Sequence, residues 1–149
     1  MILLKPDLEF GLYQHSRRCA WRKPQMVKTI PGNPFERPVF ARARKLCARL
    51  PEVVEGESWG HPNFRAPRKI FCAFEMIEGR PSIAFRLLPE EVDALLRRRK
   101  FFATPYGRGL WVSVCVDGAL DWKLIEKLID RSYRTVAHKR LVAMLDARA

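Results

Sequence analysis

Residues 69–87, KIFCAFEMIEGRPSIAFRL, form the stretch that decides the fold of this chain. The segment from Lys69 to Glu75 is apolar and aromatic, whereas Pro81 to Leu87 alternates between two kinds of side chain, with Ile83, Phe85 and Leu87 on one face. Alternation with a period of two is typical of a β-strand with one buried face. Glu78-Gly79 lies between the segments, and glycine adopts the positive φ of a tight turn without strain. The stretch therefore predicts an antiparallel hairpin.

Helices and further strands are predicted on both sides of this hairpin. Several segments carry apolar residues at three- and four-residue steps, the pattern of an amphipathic helix. We predict helices over residues 38–50 and 88–99, a third capped by Asp121 and a last one from about residue 137, with strands over residues 53–59, 101–104 and 110–116. Because the strands come in clusters instead of alternating with helices, the expected fold class is α+β. It would have a mainly antiparallel sheet of about five strands with helices packed on it.

The length and the net charge limit the class of protein to which this chain can belong. The chain has 149 residues, of which 48% are hydrophobic, so it suits one domain and is not disordered throughout. Its 28 Lys and Arg against 16 Asp and Glu give a net charge of +12. Such an excess favours a polyanionic partner: nucleic acid, an anionic membrane surface or a phosphorylated ligand.

Residues 1–33 differ from the rest of the chain. They show no sustained periodicity and are interrupted by prolines, and their six basic residues outnumber two acidic ones. We predict a basic, disordered arm over residues 1–33 and a single folded domain over residues 34–149. Two explanations of the arm stay open. It is either a genuine basic tail that adds affinity for anions or an artefact of start-site choice, since Met26 precedes the folded part.

The sequence carries no signal for a membrane, an export route or a metal. The apolar run Ile70–Phe74, like every other run in the chain, is far shorter than the roughly 20 residues of a spanning helix. We therefore expect a cytoplasmic protein with no membrane partner, and we favour a monomer. The four cysteines lack the Cys-x-x-Cys spacing of zinc sites. They are predicted to be small buried thiols, so neither a metal nor another cofactor is expected.

Ser58-Trp59-Gly60-His61-Pro62-Asn63-Phe64-Arg65 is the most unusual segment of the chain. Trp, His and Arg within seven residues suit a ligand pocket or a nucleic-acid contact, and an imidazole can act as a general base. A structural role is the alternative: Trp59 belongs to the core, Gly60 and Pro62 shape a turn, and His61 bonds the backbone.

A second motif is Pro105-Tyr106-Gly107-Arg108-Gly109-Leu110-Trp111. Its glycines would let the backbone approach a phosphate or a base closely, next to an aromatic ring and an arginine. It matches neither a P-loop nor the G-x-G-x-x-G fingerprint. The alternative is a hairpin turn with a solvated Arg108.

Together these motifs resemble the MmcQ/YjbR family over about residues 36–146. The residues that carry the resemblance are Trp59-Gly60-His61-Pro62 with Phe64, Pro81-Ser82-Ile83-Ala84-Phe85, Pro105-Tyr106-Gly107-Arg108-Gly109 with Trp111-Val112, and Ser132-Tyr133-Arg134 with Lys139-Arg140-Leu141. The resemblance implies a compact α+β fold of frataxin-like, double-wing architecture, whose members are commonly labelled DNA-binding. That label rests on fold analogy, and a fold alone does not establish a function.

The first functional hypothesis is a DNA-binding module with weak sequence preference. Two hairpins would act as wings with Arg80 and Arg108 at their tips, while Arg65, Arg68 and Lys69 add phosphate contacts. No recognition-helix signature is visible, so base readout is not expected.

The second hypothesis is a small anionic-ligand-binding or enzymatic domain with a cleft of Trp59, His61, Tyr106 and Arg108, in which Arg108 binds the anion. The sequence has no nucleophile–base pair, so no catalytic residue is assigned. A protein-interaction adaptor is the third interpretation. One continuous positive face spanning both hairpins would favour DNA, whereas a closed pocket around His61 would favour a ligand.

Overall fold

A computed structural model describes residues 32–148 of the chain. The elements within this range are helices α1 (Pro38–Ala48), α2 (Pro89–Leu95), α3 (Trp122–Val136) and α4 (Lys139–Asp146), and strands β1 (Val54–Ser58), β2 (His61–Arg65), β3 (Ile70–Ile77), β4 (Arg80–Arg86), β5 (Phe101–Ala103) and β6 (Trp111–Cys115). A single 3₁₀ turn, Pro34–Glu36, precedes α1. The prediction of a disordered arm falls, for residues 1–31, outside the described residues.

The six strands form one antiparallel sheet in the order β1-β2-β3-β4-β6-β5. The predicted hairpin is its centre: Ile77 pairs with Arg80, and the turn residues Glu78 and Gly79 have φ of 52° and 75°. Positive φ at both turn positions matches the twist of the two strands. The α+β class and the antiparallel sheet are confirmed, with one strand more than the expected five.

The additional strand is β2. Its residues read as a turn in the sequence because Pro62 lacks the backbone donor that a strand uses. In the structure Pro62 lies within the strand and pairs with Glu57 of β1, while Trp59 and Gly60 make the turn. The alternative in which Trp59 belongs to the core is wrong, because 77% of this residue is exposed.

Helices α1 and α3 cover one face of the sheet. Phe74 of β3 is fully buried there, with ring centroids 4.7 Å from Phe40 of α1 and 5.1 Å from Phe64 of β2. Cys47 and Cys72 are buried in the same layer as free thiols, as predicted. The opposite face of the sheet is therefore not covered by these two helices.

Helix α2 is shorter than predicted. It ends at Leu95, and the basic run that follows is not part of it. Lys100 has a φ of 73°, and its ammonium donates to the backbone oxygens of Asp117 and Ala119. Lys100 therefore ties the start of β5 to the turn after β6.

An irregularity in β3 decides which side chains face away from the helices. Phe64 pairs with Cys72 but the next residue, Arg65, pairs with Ile70, so β3 contains an extra residue at this point. Phe71 is that residue, and its ring packs edge-on against Tyr133 of α3 at 5.5 Å. A bulge of this kind re-aims side chains, and here it turns Ile70 to the uncovered face.

Candidate functional site

The face of the sheet opposite the helices carries its side chains in three rows, which the strand register defines. The row nearest the β3–β4 turn contains His61, Glu75, Ser82 and Cys115, the middle row Asn63, Ala73, Ala84 and Ser113, and the far row Arg65, Ile70, Arg86 and Trp111. Most members of the middle row are small. Ala84 and Ser113 of this row are fully buried, whereas Asn63 and Ala73 line a cavity.

This cavity has a volume of about 660 Å³ and lies on the side of strands β1 to β3. It is lined by Ser58, Trp59, His61, Asn63, Arg65, Ile70, Ala73, Glu75, Tyr106 and Trp111. Cavities of roughly 300–1,000 Å³ with a few convergent polar groups are typical of small-molecule sites. The cavity is therefore the candidate functional site of the described domain.

One carboxylate joins three elements inside the cavity. Tyr106, on the connection from β5 to β6, reaches across β4 and donates its hydroxyl hydrogen to Oε1 of Glu75. Nδ1 of His61 lies 3.2 Å from Oε2 of Glu75, at ion-pair distance although outside good hydrogen-bond geometry. Only 14% of the Glu75 side chain is exposed. This carboxylate therefore fixes the positions of both the phenol and the imidazole.

Glu75 also sets the protonation of its two partners. Its carboxylate raises the pKa of His61 above the ordinary 6.5, and this outweighs partial burial, which lowers the pKa. Burial, with the charge of Glu75 adding to it, raises the pKa of Tyr106 far above its ordinary value. Tyr106 therefore stays a hydrogen-bond donor at physiological pH, whereas His61 can change its charge there.

The pH dependence of stability should report the pair of His61 and Glu75. Because the pKa of His61 is raised in the folded state, the pair stabilises the fold fully below the unfolded-state pKa of about 6.5. This contribution is lost as the pH rises through the folded-state value. Glu75→Gln should therefore lower the free energy of unfolding more at about pH 5.5 than at about pH 8.5, as measured by urea denaturation.

The matched control for this experiment is the same substitution in a His61→Gln background. There, the loss caused by Glu75→Gln should no longer change between the two pH values, because the titrating partner is absent. A loss that is independent of pH in the wild-type background would contradict the assigned pairing.

A second set of polar contacts orients a cation at the other end of the cavity. Nε of Arg65 donates to Oδ1 of Asn63 at 3.3 Å, and Nδ2 of Asn63 donates to the Ser58 hydroxyl at 3.0 Å. A Cβ at Gly56 would lie 3.3 Å from that Asn63 oxygen, so the glycine leaves room for the amide. Arg65 makes no ion pair with another residue in the range 32–148, and its terminal nitrogens are available to a ligand.

Trp59 stands at the rim of the cavity in an unusual backbone conformation. Its φ is 56° and that of Gly60 is 78°, so the β1–β2 turn needs positive φ at both positions. Asn or Asp is the usual residue before glycine in such a turn, and a bulky residue there is strained. Backbone strain of this kind is frequent at ligand clamps. The turn therefore holds a large apolar ring in solvent, at the rim of the cavity.

The structure brings together three of the four residues of the predicted ligand cleft. Trp59, His61 and Tyr106 all line the cavity. Arg108 does not: it is exposed on the loop between β5 and β6, with a φ of 48°. Arg65 supplies the cation that was expected from Arg108, because alternate residues of β2 face the cavity.

The residues predicted to bind DNA lie on two different connections, at the end of β2 and at the start of β4. Arg68 and Lys69 are exposed on the turn that follows Arg65, at the end of the sheet where β3 begins. Arg80 follows the turn at the other end of β3, roughly 23 Å away for a strand of this length. Arg108 lies on a loop that starts at the Arg65 end. That Arg80 and Arg108 stand at the tips of two DNA-binding wings stays a prediction.

Sequence reasoning missed several residues of the site, namely Ser58, Asn63, Ile70, Ala73, Glu75 and Trp111. A signal for some of them was present. His61, Asn63 and Arg65 alternate with Pro62 and Phe64, which is the period of a strand with two different faces. Glu75 ends an apolar run two residues after Ala73, so both share one face of β3.

Within residues 32–148, no helix combines the length and the apolar character needed to cross a membrane. The same residues contain no group of three or more His, Cys, Asp or Glu side chains placed to hold a metal ion.

The fold is shared with solved structures of low sequence identity. A Pseudomonas syringae protein solved by the Northeast Structural Genomics Consortium is 20% identical, with a TM-score of 0.51, and the match covers 57% of this chain and 87% of that one. The Deinococcus radiodurans protein DR2400, with a DUF419 domain, is 18% identical, with a TM-score of 0.55 and coverage of 69% and 84%. None of the curated proteins compared with the chain matches it.

These features define an α+β protein with a cavity on the face of an antiparallel sheet opposite its helices. The family model described as YjbR matches residues 48–135, which is more than half of the chain, so the protein belongs to the YjbR family. The resemblance seen in the sequence is thereby confirmed. All residues that line the cavity, from Ser58 to Trp111, fall inside the matched range.

Proposed function

We propose that this domain binds a small anionic ligand in the cavity between Arg65 and the Tyr106–Glu75–His61 set. The observation that carries the proposal is the half-buried Arg65 guanidinium, which is oriented by Asn63 and lines the cavity of about 660 Å³. A guanidinium with free terminal donors binds carboxylate or phosphate through two parallel hydrogen bonds.

The neighbouring groups add selectivity to this anion site. The Glu75 carboxylate repels an anion from the His61 end, so the acidic group of the ligand belongs at the Arg65 end. Tyr106 and Trp111 supply apolar wall, which removes water and strengthens the interaction between the charges. A polar ligand with one acidic end therefore suits the site better than a symmetric dianion.

Calorimetric titration with phenyl phosphate, benzoate, citrate and ribose 5-phosphate tests the proposal. The ligand that binds the wild-type protein should lose about tenfold or more in affinity on Arg65→Gln, because a charge-assisted hydrogen bond is worth about 1.5–3 kcal/mol. Arg65→Lys should retain part of the affinity, since the charge remains without the planar fork.

Arg68→Gln is the matched control. It removes the same charge three residues away, from an exposed side chain that does not line the cavity. Its affinity should match that of the wild-type protein at moderate salt. Equal losses in Arg65→Gln and Arg68→Gln would contradict a cavity site, as would the absence of binding by every anion in the set.

Binding to DNA is the second candidate function, and a cluster of exposed cations favours it. Arg68, Lys69 and Arg108 make no ion pair within residues 32–148, and they belong to connections at one end of the sheet. The charge excess supports this candidate: residues 32–148 carry 22 Lys and Arg against 14 Asp and Glu, a net +8. Contacts of this kind would position the protein on phosphates without reading sequence.

The salt dependence of binding to random duplex DNA tests this second candidate. Arg68→Ala and Arg108→Ala should each flatten the slope of log affinity against log salt by about one unit, nearly equally for all sequences. Arg131→Ala is the control, because Arg131 is already paired with Glu91. An unchanged slope in both test variants would remove the cluster from the DNA interface.

A further inference from the structure

The cavity offers aromatic surface at the rim as well as in the wall. Trp59, Tyr106 and Trp111 all contribute to its lining, and Trp59 exposes 77% of its surface beside the opening. An exposed indole held in a strained turn is available for stacking on a planar ligand. Base–aromatic stacking tolerates any base, because every base presents a π-face.

Hydrogen-bonding groups lie at the same end of the cavity as Trp59. His61 lines the cavity with 30% of its side chain exposed, and among the described residues the hydroxyl of Ser58 accepts from Asn63 but donates to none. Both side chains belong to the β1–β2 hairpin, whose turn contains Trp59. This end of the cavity can therefore bond the polar edge of a ring while the indole covers its face.

Further basic side chains lie beyond the Arg65 end of the cavity. Arg65 ends β2, and the turn after it carries Arg68 and Lys69, both exposed. Arg65 follows His61 by four positions on the extended strand, so their Cα atoms are about 13 Å apart, although the hydrogen bonds through Asn63 draw the Arg65 side chain toward Ser58. A ligand that uses both ends must therefore be elongated, with a ring at one end and an acidic group at the other.

We infer that the ligand is a nucleotide, with the base at the Trp59–His61 end and the phosphate on Arg65. This inference rests on the proposed anion site and adds the chemical class of what that site binds. The shared chemistry is a heteroaromatic ring joined to a phosphate. It is present both in free mononucleotides and in an unpaired nucleotide of a single strand.

Calorimetric titration with adenosine 5′-monophosphate and ribose 5-phosphate tests the base-binding part, because the two differ only in the base. The nucleotide should bind about tenfold more tightly or better, the range expected for stacking on an aromatic side chain. Trp59→Ala should remove this advantage and leave ribose 5-phosphate unchanged. Trp59→Phe, which keeps a ring, should retain most of it.

Val54→Ala is the matched control, since Val54 is an exposed apolar residue of the same hairpin and does not line the cavity. Equal, Arg65-dependent binding of the two compounds would overturn the nucleotide inference and leave the anion site standing. The same holds if neither compound binds while citrate or benzoate does. If no anion in the set binds, both the nucleotide inference and the proposed anion site are wrong.

A further pair of titrations identifies the source of the nucleotide. A single-stranded 12-mer of thymidylate that binds at least tenfold more tightly than the four mononucleotides, and more tightly than a blunt duplex of equal length, would identify an unpaired strand. Mononucleotide affinity that equals or exceeds that of the 12-mer would identify a free nucleotide. A blunt duplex that binds most tightly, without an effect of Trp59→Ala, would overturn the inference.

Discussion

Phe74→Ala is expected to lower the free energy of unfolding by about 3–5 kcal/mol, the cost of removing a fully buried aromatic ring from a core. The ring is 0% exposed and packs against Phe40 and Phe64. The free energy of unfolding of a domain of this size is about 5–15 kcal/mol. The variant would therefore be close to its unfolding transition at 37 °C. Urea denaturation followed by circular dichroism measures the loss.

The same substitution should also affect the cavity. Phe74 lies between Ala73 and Glu75, and its burial against the helices is what turns those two residues to the uncovered face. Phe74→Leu, which keeps most of the apolar volume, should cost clearly less and retain ligand binding. A loss below about 1 kcal/mol for Phe74→Ala would mean that this aromatic cluster is not the centre of the core.

Gly107→Ala is expected to cause the largest loss of binding among variants that do not touch a ligand. A Cβ at this position would lie 2.5 Å from Cβ of Trp111 and 3.2 Å from the backbone oxygen of Thr104. Neither neighbour is the flexible end of a side chain, so the loop itself must shift. Because the loop carries Tyr106 and leads directly into Trp111 of β6, the wall of the cavity would move with it.

We expect Gly107→Ala to weaken anion binding at least tenfold, or about 1.4 kcal/mol, and to destabilise the fold by about 1–3 kcal/mol through overpacking. Calorimetry with the best-binding anion and urea denaturation measure the two effects. Arg108→Ala is the control in the same loop, and it should leave both quantities nearly unchanged because its side chain is exposed. Wild-type affinity in Gly107→Ala would show that the loop does not form the wall of the binding site.

The sequence predicted the hairpin well because its two segments carry their own evidence. Period-two alternation and a glycine turn are local properties, and the observed strands, Ile70–Ile77 and Arg80–Arg86, agree with them. Asp121 was likewise predicted from local chemistry, and its carboxylate accepts a hydrogen bond from the backbone of Leu124 at 3.1 Å. Strand β2 was missed because its proline gave a misleading local signal.

The site was harder to predict because it depends on which strands are neighbours. His61, Glu75 and Tyr106 are far apart in the chain and meet only because β2 lies beside β3 and a loop reaches across β4. No local feature of the sequence indicates that Arg65, and not Arg108, supplies the cation of the cleft. That choice follows from the alternation of β2 and from the exposure of Arg108 on its loop.

Nuclear magnetic resonance with phenyl phosphate tests the central claim most directly, since it reports where an anion binds. The Nε–H signal of Arg65 and the indole N–H signal of Trp111 should shift together and yield one dissociation constant, and the Trp111 shift should vanish in Arg65→Gln. The signals of Arg68 and Arg108 should remain in place. Shifts at Arg68 and Arg108 with an unchanged Trp111 would contradict the claim, because the anion would then lie on the exposed surface and not in the cavity.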